Sequence, residues 1–129
     1  MRINLINDTP FRWTAFLSVS VAVAYAIFRP MPPEMIFEHS DKAGHVVAFL
    51  ALSLTGRLAL SRCSRYKFWL SMFVLAFMLE YLQGQFRPLR LFSLGDVTAN
   101  MLGVLTALTV FICANSTTDN YVNLTKWRD

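Results

Sequence analysis

Two short segments of the 129-residue sequence place polar side chains at helical spacing beside apolar runs. Asp41 and His45 are four residues apart, and Glu80 and Gln83 are three apart. Residues three or four positions apart share one face of a helix. Imidazole and carboxylate groups are common general acids and bases, so His45, Glu80 and Asp41 are the predicted catalytic candidates.

A third segment carries Asp96, Asn100 and Gly103, which form a stripe along one helix face. Glycine in such a stripe lets a neighbouring helix approach closely. Cationic side chains nearby could hold an anion, and amides could orient it. The predicted binding residues are Lys42, Gln83, Arg90, Asp96 and Asn100.

Carboxylates and imidazoles can also bind metal ions, so four of these residues are potential ligands: Asp41, His45, Glu80 and Asp96. They are widely separated along the chain, and Cys63 and Cys113 add no metal-binding spacing. No metal site is therefore predicted, and the pattern identifies no particular cofactor.

The elements that must position these residues are apolar. Hydrophobic residues make up 55% of the chain, charged residues only 16%, and the mean hydropathy is +0.43. Four apolar stretches, each near the ~20 residues of a membrane-spanning helix, cover about 10–28, 42–60, 66–83 and 94–113. The predicted fold is all-α: one polytopic membrane domain over residues 1–129, built as a bundle of four transmembrane helices. A polar, loosely ordered cytoplasmic tail is predicted over 114–129.

Two alternatives to this arrangement are open. A soluble four-helix bundle would need polar helix faces wide enough to meet water, which these stretches do not show. The first stretch could instead be a signal peptide, because Ala24-Tyr25-Ala26 resembles a cleavage site.

The basic residues predict the topology. Eight of the twelve lysines and arginines lie in the N-terminal segment, the loop over 56–67 and the C-terminal tail. The positive-inside rule places these parts, and hence both termini, in the cytoplasm. The basic loop would anchor the chain at anionic lipid, so no nucleic-acid partner is inferred from the net charge of +4.

All the candidate residues then fall on the outer side of the membrane. Glu80 is expected to pair with Arg90, Lys42 or His45, because a lone carboxylate is costly in an apolar segment. Ser93 and Asp96 have the spacing of a capping box at the start of the fourth helix.

Two quoted segments, "SDKAGHVVAFLALS" (40–53) and "LEYLQGQFRPLRLFSLGDVTANMLG" (79–103), resemble the VanZ-like family of small bacterial membrane proteins. The residues that match the family pattern are Asp41, Lys42, His45, Glu80, Gln83, Arg90, Asp96, Asn100 and Gly103. The resemblance implies a compact bundle of membrane helices in the bacterial cytoplasmic membrane. It also implies a link to low-level resistance to the glycopeptide teicoplanin, without a defined biochemical activity.

Three functions are compatible with these features. The outer pocket could bind, and in one version chemically modify, an anionic lipid or a lipid-linked cell-envelope precursor. Alternatively, the chain could be a non-catalytic binding or accessory protein that alters the envelope or binds the glycopeptide. A transporter is disfavoured, because the polar groups stay on one side and no inverted repeat is visible. Membrane lipids are the expected partners, and neither catalysis nor an oligomeric state is predicted.

Overall fold

Four α-helices make up the part of the chain described by the computed structural model, residues 9–29, 38–86 and 92–126, with side chains as far as residue 116. The helices are α1 (Thr9–Phe28), α2 (Ser40–Ala59), α3 (Arg65–Phe86) and α4 (Leu94–Lys126). The described fold is all-α, as predicted. The first three helices begin and end within three residues of their predicted bounds.

Helix α4 is longer than the sequence pattern suggested. It continues to Lys126, whereas the predicted end was near residue 113, so the segment 114–126 extends the helix. No glycine or proline follows Gly103 in the sequence. The Asn, Ser, Thr and Asp residues of the segment have lower helix propensities than alanine, but none of them breaks a helix as glycine or proline does.

Two of the described helices are long and apolar enough, by length and composition, to cross a membrane: α1 and the Leu94–Ser116 part of α4. Only 11% of the α1 segment and 33% of the α4 segment are buried inside the protein. Helices α2 and α3 fall short of the same criterion. They carry buried polar side chains such as Arg57 and Glu80 within their apolar runs.

Helix α4 lies between α2 and α3, and its contact with α2 is the most extensive in the described fold. Gly103 makes this contact possible. A Cβ atom at residue 103 would lie 2.5 Å from the Val46 carbonyl oxygen and 2.9 Å from Cβ of Phe49. The predicted close approach of another helix at Gly103 is therefore confirmed. The buried core also includes Ala76, Val104 and Ala107, which have no exposed surface.

Helix α1 packs mainly against α2 and, to a smaller extent, against α3. Val23 and Ile27 are its two buried residues, and they lie one helical turn apart. Phe16 and Val19 are partly buried and pack against the core as well. The opposite face of α1 exposes large apolar side chains, including Val21 and Tyr25. Helix α1 is thus attached through one narrow face that runs from Phe16 to Ile27.

Arg57 closes the opposite end of the bundle. Its guanidinium donates hydrogen bonds to the carbonyl oxygens of Leu60 (2.9 Å) and Cys63 (3.2 Å) in the α2–α3 connection. The same group lies over the ring of Phe111, 5.2 Å from its centroid. Only 7% of Arg57 is exposed, so it is an internal cap of α2 and not, as predicted for the basic loop, a lipid-facing anchor.

Candidate functional site

Lys42 lies between two carboxylates where the N-terminal ends of α2 and α4 meet. Its Nζ is 3.7 Å from Oδ2 of Asp41 and 3.7 Å from Oδ1 of Asp96. The Asp96 side chain is 5% exposed, whereas that of Lys42 is 40% exposed. Lys42 therefore connects a buried carboxylate to the surface. The positive ends of both helix dipoles also favour negative charge here.

His45 is held by Asn100 in one orientation. Nδ2 of Asn100 donates to the carbonyl oxygen of Ala76 (3.1 Å), and its Oδ1 lies 2.8 Å from Nδ1 of His45. An amide oxygen can only accept a hydrogen bond, so Nδ1 of His45 is the donor. Nε2 is therefore the ring nitrogen that has no hydrogen in the neutral imidazole. In the imidazolium it carries the second proton.

Nε2 of His45 faces Asp96. The distance from this atom to Oδ2 of Asp96 is 3.7 Å, and both side chains are largely buried. His45 thus contacts α4 through both ring nitrogens, one toward Asn100 and the other toward Asp96. The ring cannot rotate without losing the Asn100 contact.

Helix α4 is capped jointly by its own Ser93 and by α3. The Ser93 hydroxyl accepts a hydrogen bond from the backbone N–H of Asp96 (3.3 Å), which is one half of the predicted capping box. In the other half, the Asp96 side chain would accept from the backbone N–H of Ser93. That N–H instead donates to Oε1 of Glu80 (3.1 Å). The Asp96 carboxylate is therefore available to face Lys42 and His45.

Glu80, His45 and Asp96 converge from three different helices. One ligand atom from each lies within 4.8 Å of the others. Glu80 and Asp96 are 2% and 4% exposed, respectively. The sequence spacing predicted no metal site, but the fold brings together a nitrogen and two carboxylates that could hold a metal ion or pass a proton.

Gln83 connects the cluster to α1. Its Nε2 donates to the carbonyl oxygen of Ile27 at 3.2 Å, and its side chain is buried. Gln83 also lines a cavity of about 140 Å³ between α1 and α2. The cavity is lined by Val23, Ala26, Ile27, Arg29, Ser40, Asp41, Gly44, His45, Ala48, Phe49 and Gln83.

Arg29 is a residue of this cavity that the sequence reasoning missed. It directly follows α1, and its backbone N–H donates to the Tyr25 carbonyl oxygen (2.9 Å). Its Nε is buried and has no hydrogen-bond partner in the described residues. The available signal was its position: a cation just beyond the first apolar stretch lies at the same level as Asp41.

The structure thus brings most of the predicted site residues to one end of the bundle. These are Asp41, Lys42, His45, Glu80, Gln83, Asp96 and Asn100. Arg90 lies outside the described residues, so its pairing with Glu80 remains a prediction. Among the described atoms, Glu80 contacts the Ser93 backbone and lies close to His45.

The chain matches a known protein family. The sequence model of the VanZ/LLP1 family matches residues 1–115, which include all four helices as far as the apolar part of α4. Searches of curated proteins and of solved structures found no significant similarity. The match agrees with the resemblance carried by the polar segments of α2, α3 and α4, and the chain belongs to the VanZ/LLP1 family.

Proposed function

We propose that the chain is a multi-pass membrane protein that binds the anionic head group of a lipid or lipid-linked envelope component at its polar end. The observation that carries this proposal is a small cavity lined by Arg29 and His45. Lys42 lies next to it, because its Nζ is 3.7 Å from Oδ2 of Asp41, which also lines the cavity. Ionisable groups inside membrane segments are costly and rare, so their presence usually marks a functional site. Cationic groups around a cavity suit a phosphate or carboxylate.

In the proposed arrangement all four helices cross the membrane. Helices α2 and α3 have 20 and 22 residues, which is enough for about 30 Å of hydrocarbon. Their charged residues Arg57 and Glu80 are buried against other helices rather than turned outward. Large apolar side chains such as Val21, Tyr25 and Leu102 are exposed, as expected for surfaces that contact lipid.

The proposed orientation puts both termini in the cytoplasm and the polar cluster on the outer face of the bacterial cytoplasmic membrane. The distribution of lysine and arginine supports this orientation. The exposed residues Arg62 and Lys67 lie in and just after the connection between α2 and α3, at the end opposite His45. A cluster on the outer face would meet envelope lipids before they are used outside the cell.

The size of the cavity favours a head group over a whole drug molecule. Pockets that enclose drug-sized ligands measure about 300–1,000 Å³, whereas this cavity measures about 140 Å³. A glycopeptide would not enter it, but a phosphate group would. The link of VanZ-like proteins to teicoplanin resistance is therefore proposed to act through a surface lipid.

The binding test uses purified protein and native mass spectrometry with phosphatidylglycerol, a polyprenyl phosphate and phosphatidylcholine. Retention of the two anionic lipids over the zwitterionic one is expected. Lys42→Met and Arg29→Met should each weaken retention about tenfold, because each removes a charge-assisted contact. Arg62→Met, which removes an exposed cation at the other end, is the matched control. Equal retention of all three lipids would refute anionic head-group binding.

Chemical modification of the bound lipid is the further step in this proposal. His45 and Glu80 would exchange the proton, because a ring nitrogen of His45 and a carboxylate oxygen of Glu80 lie within 4.8 Å of each other. A radiolabelled polyprenyl phosphate should then give a product that Glu80→Gln abolishes while lipid retention persists.

A non-catalytic accessory role is the second candidate function. It is favoured by the internal hydrogen bonds of His45 to Asn100 and of Gln83 to Ile27, which are the bonds of a structural network. In this case Glu80→Gln would change lipid retention without affecting any product. The teicoplanin susceptibility of a host that expresses the unaltered chain or Glu80→Gln would show whether lipid binding without catalysis is sufficient for resistance.

A further inference from the structure

We infer that His45, Glu80 and Asp96 form a binding site for one divalent transition-metal ion, such as Zn²⁺ or Mn²⁺. A ring nitrogen of His45 and a carboxylate oxygen from each acid lie within 4.8 Å of one another, and Nε2 of His45 is 3.7 Å from Oδ2 of Asp96. Ligands of an ion bound at about 2.0–2.2 Å are roughly 3–4 Å apart. Small side-chain rotations therefore suffice to close the site around an ion.

The donor set fits the proposed ion. One imidazole nitrogen and two carboxylate oxygens are borderline and hard ligands, which suit Zn²⁺ and Mn²⁺ better than Cu⁺. Three protein ligands also leave at least one coordination position for water or a ligand oxygen. The three residues come from α2, α3 and α4, so an ion would bind only the folded bundle.

The surroundings of His45 point independently to a metal ligand. Metal-binding histidines usually donate their other ring N–H to an oxygen that fixes the ring. Asn100 provides that oxygen at 2.8 Å from Nδ1, and Ala76 fixes the amide in turn. This arrangement keeps Nε2 directed at Asp96. The sequence stripe of Asp96 and Asn100 thus supplies both a ligand and the residue that orients another ligand.

Lys42 is compatible with an ion at this position. Its Nζ contacts Oδ1 of Asp96, whereas His45 faces Oδ2 of the same carboxylate. The Lys42 side chain is 40% exposed, so its ammonium group can turn toward solvent when an ion binds. Because His45 also lines the cavity, the ion would lie beside the proposed head-group site.

The test is a titration of the purified full-length protein carrying an affinity tag without histidine. After treatment with EDTA and dialysis, Zn²⁺ and Mn²⁺ are added separately and binding is measured by calorimetry. One ion per chain is expected. Glu80→Gln and Asp96→Asn should each weaken binding at least tenfold, and Asn100→Ala should weaken it about 10- to 100-fold, because Asn100 orients His45.

Glu38→Gln is the matched control, because it removes a carboxylate just before α2 whose side chain is 90% exposed and which is not among the three ligands. It should bind the ion as the unaltered chain does. A loss as large as that of Asp96→Asn would place the ion elsewhere and overturn the proposal. Absence of saturable binding by the unaltered chain would overturn it as well.

A second measurement does not depend on the variants folding. The melting temperature of the EDTA-treated unaltered protein should rise on addition of the ion, because an ion that binds only the folded state stabilises it. The outcome is separable from the proposed function. Lipid retention without ion binding would remove the metal site alone, and ion binding without lipid retention would remove the head-group site alone.

Discussion

Asn100 joins three helices through one amide group. It accepts from His45 on α2 and donates to the backbone of Ala76 on α3, while its own backbone belongs to α4. Asn100 is only 1% exposed, so water cannot replace either of its hydrogen bonds. Loss of the amide would leave the His45 N–H and the Ala76 carbonyl oxygen to find other partners.

Replacement of Asn100 by leucine should lower the free energy of unfolding by about 1–2 kcal/mol, since interhelical hydrogen bonds in membranes are worth about that much at most. Unfolding in mixed micelles measures this change. Thr106→Ala is the control, because the exposed Thr106 hydroxyl donates only to the Leu102 carbonyl oxygen of its own helix. A variant as stable as this control would show that Asn100 does not hold the helices together.

At the scale of residues, the sequence predicted types and faces but not main-chain partners. The i, i+4 spacing of Asp96 and Asn100 correctly put both on one interior face. The partners of Glu80 and Gln83, by contrast, include the Ser93 N–H and the Ile27 carbonyl oxygen. Every residue offers such groups, so no sequence pattern distinguishes these two. The contribution of α1 to the cavity was not predicted for the same reason, because it includes a main-chain carbonyl group.

At the scale of elements, the seam between α2 and α4 depends on residue 103. Gly103→Ala should destabilise the protein by about 1–3 kcal/mol, because the added Cβ would overpack against the Val46 carbonyl oxygen. Gly44→Ala is a matched control on α2, since a Cβ there meets nothing within 4 Å. That change should be neutral or stabilising by up to about 1 kcal/mol. Equal thermal shifts for the two variants would contradict the close approach.

The end of α2 depends on Arg57. Arg57→Met should cost about 1.5–3 kcal/mol, because it removes hydrogen bonds from a charged donor to the Leu60 and Cys63 carbonyl oxygens. The exposed Cys63 thiol should also react faster with a maleimide when this connection is no longer held. The exposed Arg62 provides the control, and Arg62→Met should change neither quantity.

Helix bounds were predictable where the sequence contains a stop or a start. Ser93 and Asp96 marked the start of α4 correctly, because a hydroxyl at the N-cap satisfies a free backbone N–H. The end of α4 was not predictable from polarity, because the segment after residue 113 has no glycine or proline to break the helix. The polarity of a segment indicates whether it faces water or lipid, but it does not locate the end of a helix.

At the scale of the whole molecule, the proposed topology makes a labelling prediction. A membrane-impermeant maleimide should reach His39→Cys in intact cells when Cys63 and Cys113 are changed to serine, because His39 is exposed beside the polar cluster. In the otherwise unaltered chain, Cys63 should react only after the membrane is permeabilised. Labelling in the reverse order would place the cluster in the cytoplasm.

The fate of α1 is a second prediction for the whole molecule. Cleavage after Ala26 would remove Val23 and Ala26 from the cavity wall and separate Ile27, whose carbonyl oxygen accepts from Gln83, from the rest of α1. Helix α1 is therefore expected to be retained. The intact mass of the protein purified from its host shows directly whether α1 is retained. A mass equal to that of a chain starting at Ile27 would show that most of α1 is removed as a leader.

The glycine contact at residue 103 also determines which part of the bundle can act as a gate. Helices α2 and α4 cannot separate without loss of their close backbone contact. The Asp96, His45 and Asn100 side chains on these helices therefore keep fixed positions relative to one another. Helix α1, whose two buried residues are Val23 and Ile27, is the more easily displaced element. Entry to the cavity should therefore occur sideways from the lipid, by a swing of α1, and a covalent crosslink between α1 and α2 should close it.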